Sequence, residues 1–249
     1  MKEERAIKRK RRKIKFWAKF MIFLIFCGAV AFLLKAPLFE VKEFVVEGNH
    51  YYTADEIRVM GNCTAGGNIF IGTDCKDIKQ RLEKDSYMQE VNVKRVLPAT
   101  IRIELKERRQ TGAIVYGEKY VVVDGEGIVL RKTSVEPQLT VLKGITISKL
   151  SVGEPVEAEE KVLLRQTLQL LNVMDKHNMY FKTIEVSEGE IKAYVLDSLF
   201  VRGTPEHIMK AMEKDYIQLV VQELFDREIE RGTIVVSGDT KVSFNPKID

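Results

Sequence analysis

Residues that carry chemistry are scarce in this chain. Its 249 residues include three histidines, three cysteines and one tryptophan. His50, His177 and His207 are far apart in the sequence, and none stands at metal-ligand spacing from another. The cysteines form no C-x-x-C, and no histidine is close enough to complete a zinc site. No G-x-S-x-G, S-x-x-K or Walker-type glycine loop occurs, which removes the usual settings for serine nucleophiles and nucleotide phosphates. Asp124-Gly125-Glu126-Gly127 lacks the further carboxylates of a calcium loop. No low-complexity tract or internal repeat is present. The expectation is a non-enzyme with no metal and no cofactor. The one catalytic route left open is a pair of carboxylates brought together by folding.

What is abundant is charge at one end. Hydrophobic residues make up 45% of the chain and charged residues 31%, an ordinary globular balance, and the formal net charge is +4. That average hides an asymmetry. The first nineteen residues hold ten Lys/Arg and two Glu, whereas residues 36–249 carry 29 Lys/Arg against 34 Asp/Glu. The body is mildly acidic, which argues against nucleic-acid binding. Phe20 to Leu34 is uninterrupted apolar sequence, and only Lys19 breaks the stretch from Phe16. A helix needs about 20 such residues to cross a bilayer. Trp17 suits the headgroup boundary, and the preceding Lys/Arg excess orients the N-terminus to the cytoplasm. Ala29-Val30-Ala31 resembles a signal-peptidase site. The run continues through Phe32-Leu33-Leu34, however, and the charged head is long, which favours an uncleaved anchor. Lys8 to Lys13 also resembles a nuclear-localisation patch, but beside an apolar run such charges set topology. The expectation is a basic head at 1–15, a transmembrane helix at 16–35 and an extracytoplasmic body. Cys63 and Cys75 would then face the oxidising side, where they can pair, although their spacing does not decide the matter.

After Pro37 the elements become short. Val41 to Val46 is β-rich and ends at Gly48-Asn49. Thr53-Ala54-Asp55-Glu56 fits a capping box, so a helix with Ile57 and Met60 on one face is predicted, stopping at Gly61. A second helix is predicted from about Asp74, with Ile78 and Leu82 one turn apart. Val91 and Val93 mark a strand, and Ile101, Ile103 and Leu105 alternate with charged residues in another. The order β-α-α-β-β describes a small α+β domain, with two helices on a three-stranded sheet.

A second α+β domain, with a largely antiparallel sheet and two longer helices, is expected over 110–246, leaving a short tail at 247–249. Tyr120 to Val123 and Ile128 to Leu130 read as a hairpin. Residues 133–155 carry Pro and Gly with short apolar pieces. A helix is expected over about Ala158 to Lys176. Ile184 to Val186, Ile191 to Leu196 and Leu199 to Arg202 read as strands. A long helix is expected from Pro205 to about Glu230, with Ile208, Met212, Tyr216 and Leu219 on one buried stripe and Gly232 ending it. Ile234 to Val236 and Lys241 to Phe244 form a last strand pair. Lys241-Val242-Ser243-Phe244-Asn245 is the candidate binding edge, because an outer strand can accept another strand from a partner. Its Val242 and Phe244 are equally suited to closing the core.

The ordered set resembles a known family. A basic head and one anchor lead into "FEVKEFVVEGNHYYTADEI", which resembles the start of a POTRA domain. The stretch "MQEVNVKRVLPATIRIELKER" looks like that domain's closing strands in the FtsQ/DivIB cell-division proteins. The likeness continues through "YVVVDGEGIVL" and "SLFVRGTPEHIMKAMEKDYIQLV" to "GTIVVSGDTKVSFNP". It implies a POTRA-like domain at 39–108 followed by an FtsQ-type β domain. It also implies a bitopic, non-catalytic scaffold in the cell membrane at the division septum. Such a scaffold contacts FtsL-like and DivIC/FtsB-like partners, and through them septal peptidoglycan synthases. The partner strand would add at Lys241 to Asn245, with Ser237 and Gly238 in the preceding strand and turn. Gln110 stands where many members have proline, and Val235 and Ser237 replace an Asp and an Arg. Two other classes fit the residues alone: an anchored envelope hydrolase or transferase, and a POTRA-bearing secretion accessory protein.

Overall fold

Helix ends in the first folded unit are satisfied by side chains a few residues away. Thr53 precedes helix α1 (Ala54–Met60) with extended backbone. Its hydroxyl accepts from the Glu56 amide at 3.3 Å, and the Glu56 carboxylate accepts from the Thr53 amide at 2.8 Å. This reciprocal box satisfies helix donors that would otherwise face water unpaired. Asp74 does the same for α2 (Cys75–Leu82), accepting from the Lys76 and Asp77 amides. Gly48 ends β1 (Glu43–Glu47) with φ +88°, and a Cβ there would collide with the Leu105 carbonyl oxygen. Only glycine meets both demands.

The computed structural model describes residues 17, 19–30, 32, 34–187, 189–238 and 241–246. The basic head, positions 16, 18, 31 and 33 of the expected span, and the 247–249 tail lie outside the described residues. Trp17, residues 19–30, Phe32 and Leu34 are helical. Among the described residues no helix is long and apolar enough to cross a membrane.

The fold divides into two units, Met1–Glu83 with Glu90–Lys106, and Lys84–Gln89 with Glu107–Asp249. In the first, β1, β2 (Met88–Val96) and β3 (Thr100–Glu107) form a sheet in the order β1-β3-β2, with β1 parallel to β3. The alternation read at Ile101, Ile103 and Leu105 is real: all three are buried while the residues between them are partly exposed or exposed. Ile57 from α1 and Ile78 and Leu82 from α2 are buried with them. Each such side chain contributes roughly 1.5–3 kcal/mol through burial.

The second unit is built on a nine-stranded sheet, ordered β14-β13-β12-β11-β10-β7-β4-β5-β6. Its strands are β4 (Gly112–Tyr116), β5 (Lys119–Val123), β6 (Val129–Thr133), β7 (Thr140–Lys143), β10 (Thr183–Ser187), β11 (Glu190–Leu196), β12 (Ser198–Gly203), β13 (Arg231–Ser237) and β14 (Lys241–Asn245). A separate two-stranded ribbon pairs β8 (Ile147–Lys149) with β9 (Glu157–Ala158). The large sheet is more mixed than expected. β4 with β7, β7 with β10, and β12 with β13 run parallel, and the other pairs run antiparallel. One of the short apolar pieces in the Pro- and Gly-bearing segment at 133–155 supplies β7, a central strand. Helix α3 (Lys161–Lys176) lays Leu164, Leu168 and Leu171 into the core.

The long helix expected from Pro205 is two helices, α4 (Pro205–Glu213) and α5 (Tyr216–Asp226). The break is at Asp215, in left-handed conformation with φ +58°. It rotates the apolar stripe. Ile208 and Met212 are buried as expected, but α5 buries Ile217, Val221 and Leu224 instead. Tyr216 and Leu219 are left exposed, Leu219 at 65%. Gly232 does not stop a helix; it lies inside β13.

Thr53→Ala is expected to cost about 1 kcal/mol of stability in the first unit. The Thr53 amide and then its hydroxyl hold the Glu56 carboxyl below its ordinary value. The resulting stabilisation is complete above that ordinary value, near pH ~4.3, and is lost as pH falls through the lower folded value. An NMR titration of Glu56 should show its midpoint rising in Thr53→Ala.

Candidate functional site

The sequence-nominated residues gather at one border of the large sheet. Ser237 closes β13, and Gly238 follows in a turn at φ +66°. Lys241, Val242, Ser243, Phe244 and Asn245 make up β14. The strand pairs antiparallel with β13, Val236 opposite Val242 and Ile234 opposite Phe244. Asp239 and Thr240 lie outside the described residues. Among the described residues no strand lies beyond β14.

Alternation along β14 divides its side chains. Val242 and Phe244 are half-buried against the core cluster, whereas Lys241 and Ser243 are exposed. The Phe244 ring lies directly over Gly232. A Cβ at Gly232 would come within 2.5 Å of Phe244 Cε2 and 2.8 Å of the Asn245 carbonyl oxygen. Gly232 also has φ +136°, a region that side chains other than glycine rarely adopt. The ring therefore rests on bare backbone, which seats β14 closely on β13. Sequence reasoning gave Gly232 a different task; its neighbour across the strand pair is the signal that identifies it.

The opposite border differs. β6 carries Arg131 and Lys132, and its first residue is already engaged. The Val129 amide donates to the Glu154 carbonyl at 3.0 Å, and its carbonyl accepts from the Gly153 amide at 2.8 Å. Charge and a covering loop are the usual protections of a sheet edge. β14 instead has α5 packed against it. That helix shows Tyr216 and Leu219 to solvent on one face and Phe225 on another, an exposure missed from sequence because the break at Asp215 was not foreseen.

A hollow of about 500 Å³ in the second unit is lined by Glu185 and Glu190, and a second pair of carboxylates, Asp124 and Glu126, shares the Arg108 guanidinium. Both glutamates of the hollow are engaged: Glu190 accepts from Arg202 at 3.0 Å and Glu185 from the Tyr194 hydroxyl at 3.0 Å. The buried Asp124 organises its own turn. One carboxylate oxygen accepts from the Glu126 and Ile128 amides and the other from Arg108 at 2.7 Å. Of the histidines, His177 caps the end of α3, with Nδ1 3.4 Å from the Asp215 carboxylate. Among the described residues no group of three or more His, Cys, Asp or Glu could hold a metal. Cys63 and Cys75 are free thiols. Burial raises both, Cys63 to about 11 against the opposing pull of Arg58.

Residues 39–108 match the POTRA domain of FtsQ type. The chain is 28% identical over 206 residues to the cell division protein DivIB of Clostridium acetobutylicum, spanning 81% of this chain and 82% of that protein. It is 26% identical over 240 residues to DivIB of Clostridium botulinum strain Hall, covering 93% and 91%. The chain is thus similar over most of its length to cell division proteins named DivIB, and its residues 39–108 carry a POTRA domain of FtsQ type. Similarity extends to FtsQ of Syntrophotalea carbinolica, 26% over 170 residues, covering 68% of this chain and 58% of that one. The POTRA match takes in the first sheet and its two helices, and the DivIB similarities continue into the second unit.

Gly232→Ala is expected to destabilise the second unit by roughly 1–3 kcal/mol. Phe244→Leu added to it should recover part of that loss, because the shorter side chain vacates the Cβ position; denaturant midpoints of both variants and the pair would show the coupling. Cys63 should alkylate with iodoacetamide at pH 8 about a hundredfold more slowly than a free thiol, since little of it is thiolate.

Proposed function

We propose that this chain is a bitopic, non-catalytic scaffold of the cell-division machinery. The apolar run from Phe16 to Leu34 anchors it in the cell membrane, with the basic head cytoplasmic and both folded units outside, at the division septum. The open border at β14 receives a strand from single-pass division proteins of the FtsL and DivIC/FtsB kind. Through them the scaffold connects to septal peptidoglycan synthesis. Similarity to proteins named DivIB, and the FtsQ-type POTRA match, support the division role. The carrying observation for the contact is the contrast between the two border strands, each of five residues: β6 carries Arg131 and Lys132 and is engaged at Val129 by the Gly153–Glu154 segment, whereas among the described residues no strand pairs beyond β14. Backbone pairing at such a border supplies affinity, and side chains at alternate positions supply specificity. The exposed face of α5 offers apolar contact to a segment that continues past the added strand. The FtsQ-type match favours this reading over a secretion accessory, and the engaged state of Glu185 and Glu190 gives an envelope hydrolase little support.

The test is capture of purified FtsL–DivIC-type ectodomains by the full-length chain in detergent. Successive amides of a strand point to opposite sides. One of Val242→Pro and Ser243→Pro therefore removes a donor from the outer border, while the other removes one facing β13. The outer-border variant should melt like the unmodified protein yet bind at least about tenfold more weakly, roughly 1.4 kcal/mol. Unchanged capture by both folded variants would refute strand addition at β14. A fluorescent fusion spread evenly around the membrane of dividing cells would count against the division role itself.

A further inference from the structure

The membrane-proximal end of the first unit is built around a loop whose tip is apolar and held rigid. Asn68 accepts from the Phe70 and Ile71 amides at 2.9 and 3.3 Å, and its carbonyl accepts from the Gly72 amide at 2.7 Å. Arg95 clamps the base of the turn from both sides, donating to the Ile69 carbonyl at 2.6 Å and the Thr73 carbonyl at 2.9 Å. What this framework displays is Ile71, 70% exposed, and Phe70, 39% exposed. The Phe70 ring packs on Phe39, with centroids 5.4 Å apart.

The same loop is tied to the end of the apolar helical run. The Asn68 side-chain amide donates to the Leu34 carbonyl at 2.7 Å, satisfying an acceptor at a helix end. The connecting chain is zipped to the loop, with Ile69 N donating to Phe39 O and Val41 N to Gly67 O, each at 2.8 Å. The turn between β2 and β3 reaches this end too. The Lys42 amide donates to the Ala99 carbonyl at 2.8 Å, and Glu43 pairs with Thr100. That turn exposes Leu97 at 57%, and Leu38, in the connecting chain zipped to the loop, is exposed at 59%. Single exposed apolar residues need no explanation. Four of them on one end, around the last residue of a membrane-length apolar run, do.

We infer that this end of the first unit is seated in the extracytoplasmic surface of the lipid bilayer, with Phe70, Ile71, Leu38 and Leu97 in the headgroup–acyl boundary. The occupant is lipid because Leu34 already ends the apolar run and Asn68 holds the loop tip at its depth. Exposed Lys35 and Lys42 sit where anionic headgroups would meet them. Side chains of interfacial segments enter roughly 5–10 Å. The inference rests on the anchor reading and adds a second contact to it.

The single tryptophan makes the test direct. Full-length protein is reconstituted in phosphatidylcholine–phosphatidylglycerol vesicles, with or without lipids brominated high on the acyl chain. Trp17 in the unmodified chain reports the anchor. On a Trp17→Phe background, Ile71→Trp and Leu97→Trp report the loop and the strand turn, and Tyr51→Trp reports the far end of β1. The expected result is loss of fluorescence from tryptophan at 17, 71 and 97 in brominated vesicles, and none at 51. Quenching at 17 with none at 71 and 97 overturns the inference, leaves the anchor standing, and assigns the patch to a protein occupant. No quenching at 17 overturns the anchor reading and this inference together.

Discussion

The parallel pairing of β12 with β13 governs the end of this molecule. Two neighbouring strands that run the same way cannot be joined by a tight turn, so the chain must travel back along the sheet before β13 begins. Helices α4 and α5 make that return, and α4 packs against both strands as it does so. The crossover leaves β13 with one free side, and the antiparallel turn through Gly238 places β14 there. Had β13 followed β12 as a hairpin, neither the α5 face nor the open border beside it would exist. The border is thus a product of topology, and the Phe244 ring over Gly232 fixes how closely its last strand sits.

Parts of this were legible without coordinates, and the reason is local chemistry. The Thr53–Glu56 box and the Asp74 cap are read from side chains that act within four residues. Ile101, Ile103 and Leu105 are legible because one face of β3 is covered and the other is not. β7 hid for the opposite reason. It has four residues, is flanked on both sides in the sheet, and buries Thr140, Val141 and Leu142 in succession, so no alternation shows. The break between α4 and α5 hid because neither glycine nor proline marks it. Asp215 takes the left-handed conformation, which a short polar side chain tolerates better than most. One unmarked residue moved Tyr216 and Leu219 from the expected core to the surface. The border residues were named correctly as a strand, but that β14 is open while β6 is covered depends on the Gly153–Glu154 segment folding across β6, a long-range contact.

The two units use exposed apolar surface differently. In the second unit it lies on a helix beside a strand with unused pairing capacity, a combination suited to a polypeptide. In the first it is carried by turns that have no strand edge to offer, clamped by Arg95 and Asn68 next to Leu34. A rigid apolar tip without directional hydrogen-bonding capacity matches a fluid, non-directional solvent such as the bilayer surface.

The packing of Phe244 on Gly232 has a bearing on how this border can vary among relatives. The two positions form a matched pair of volumes, one empty and one full, in a diagonal contact between β13 and β14. Neither can drift alone. A lineage that acquires a side chain at the glycine position must also shrink the aromatic, and a lineage that shrinks the aromatic first opens a void between the last two strands. The two positions should therefore change together in descent, and the identity of the ring residue on this border is recorded in a glycine of the neighbouring strand.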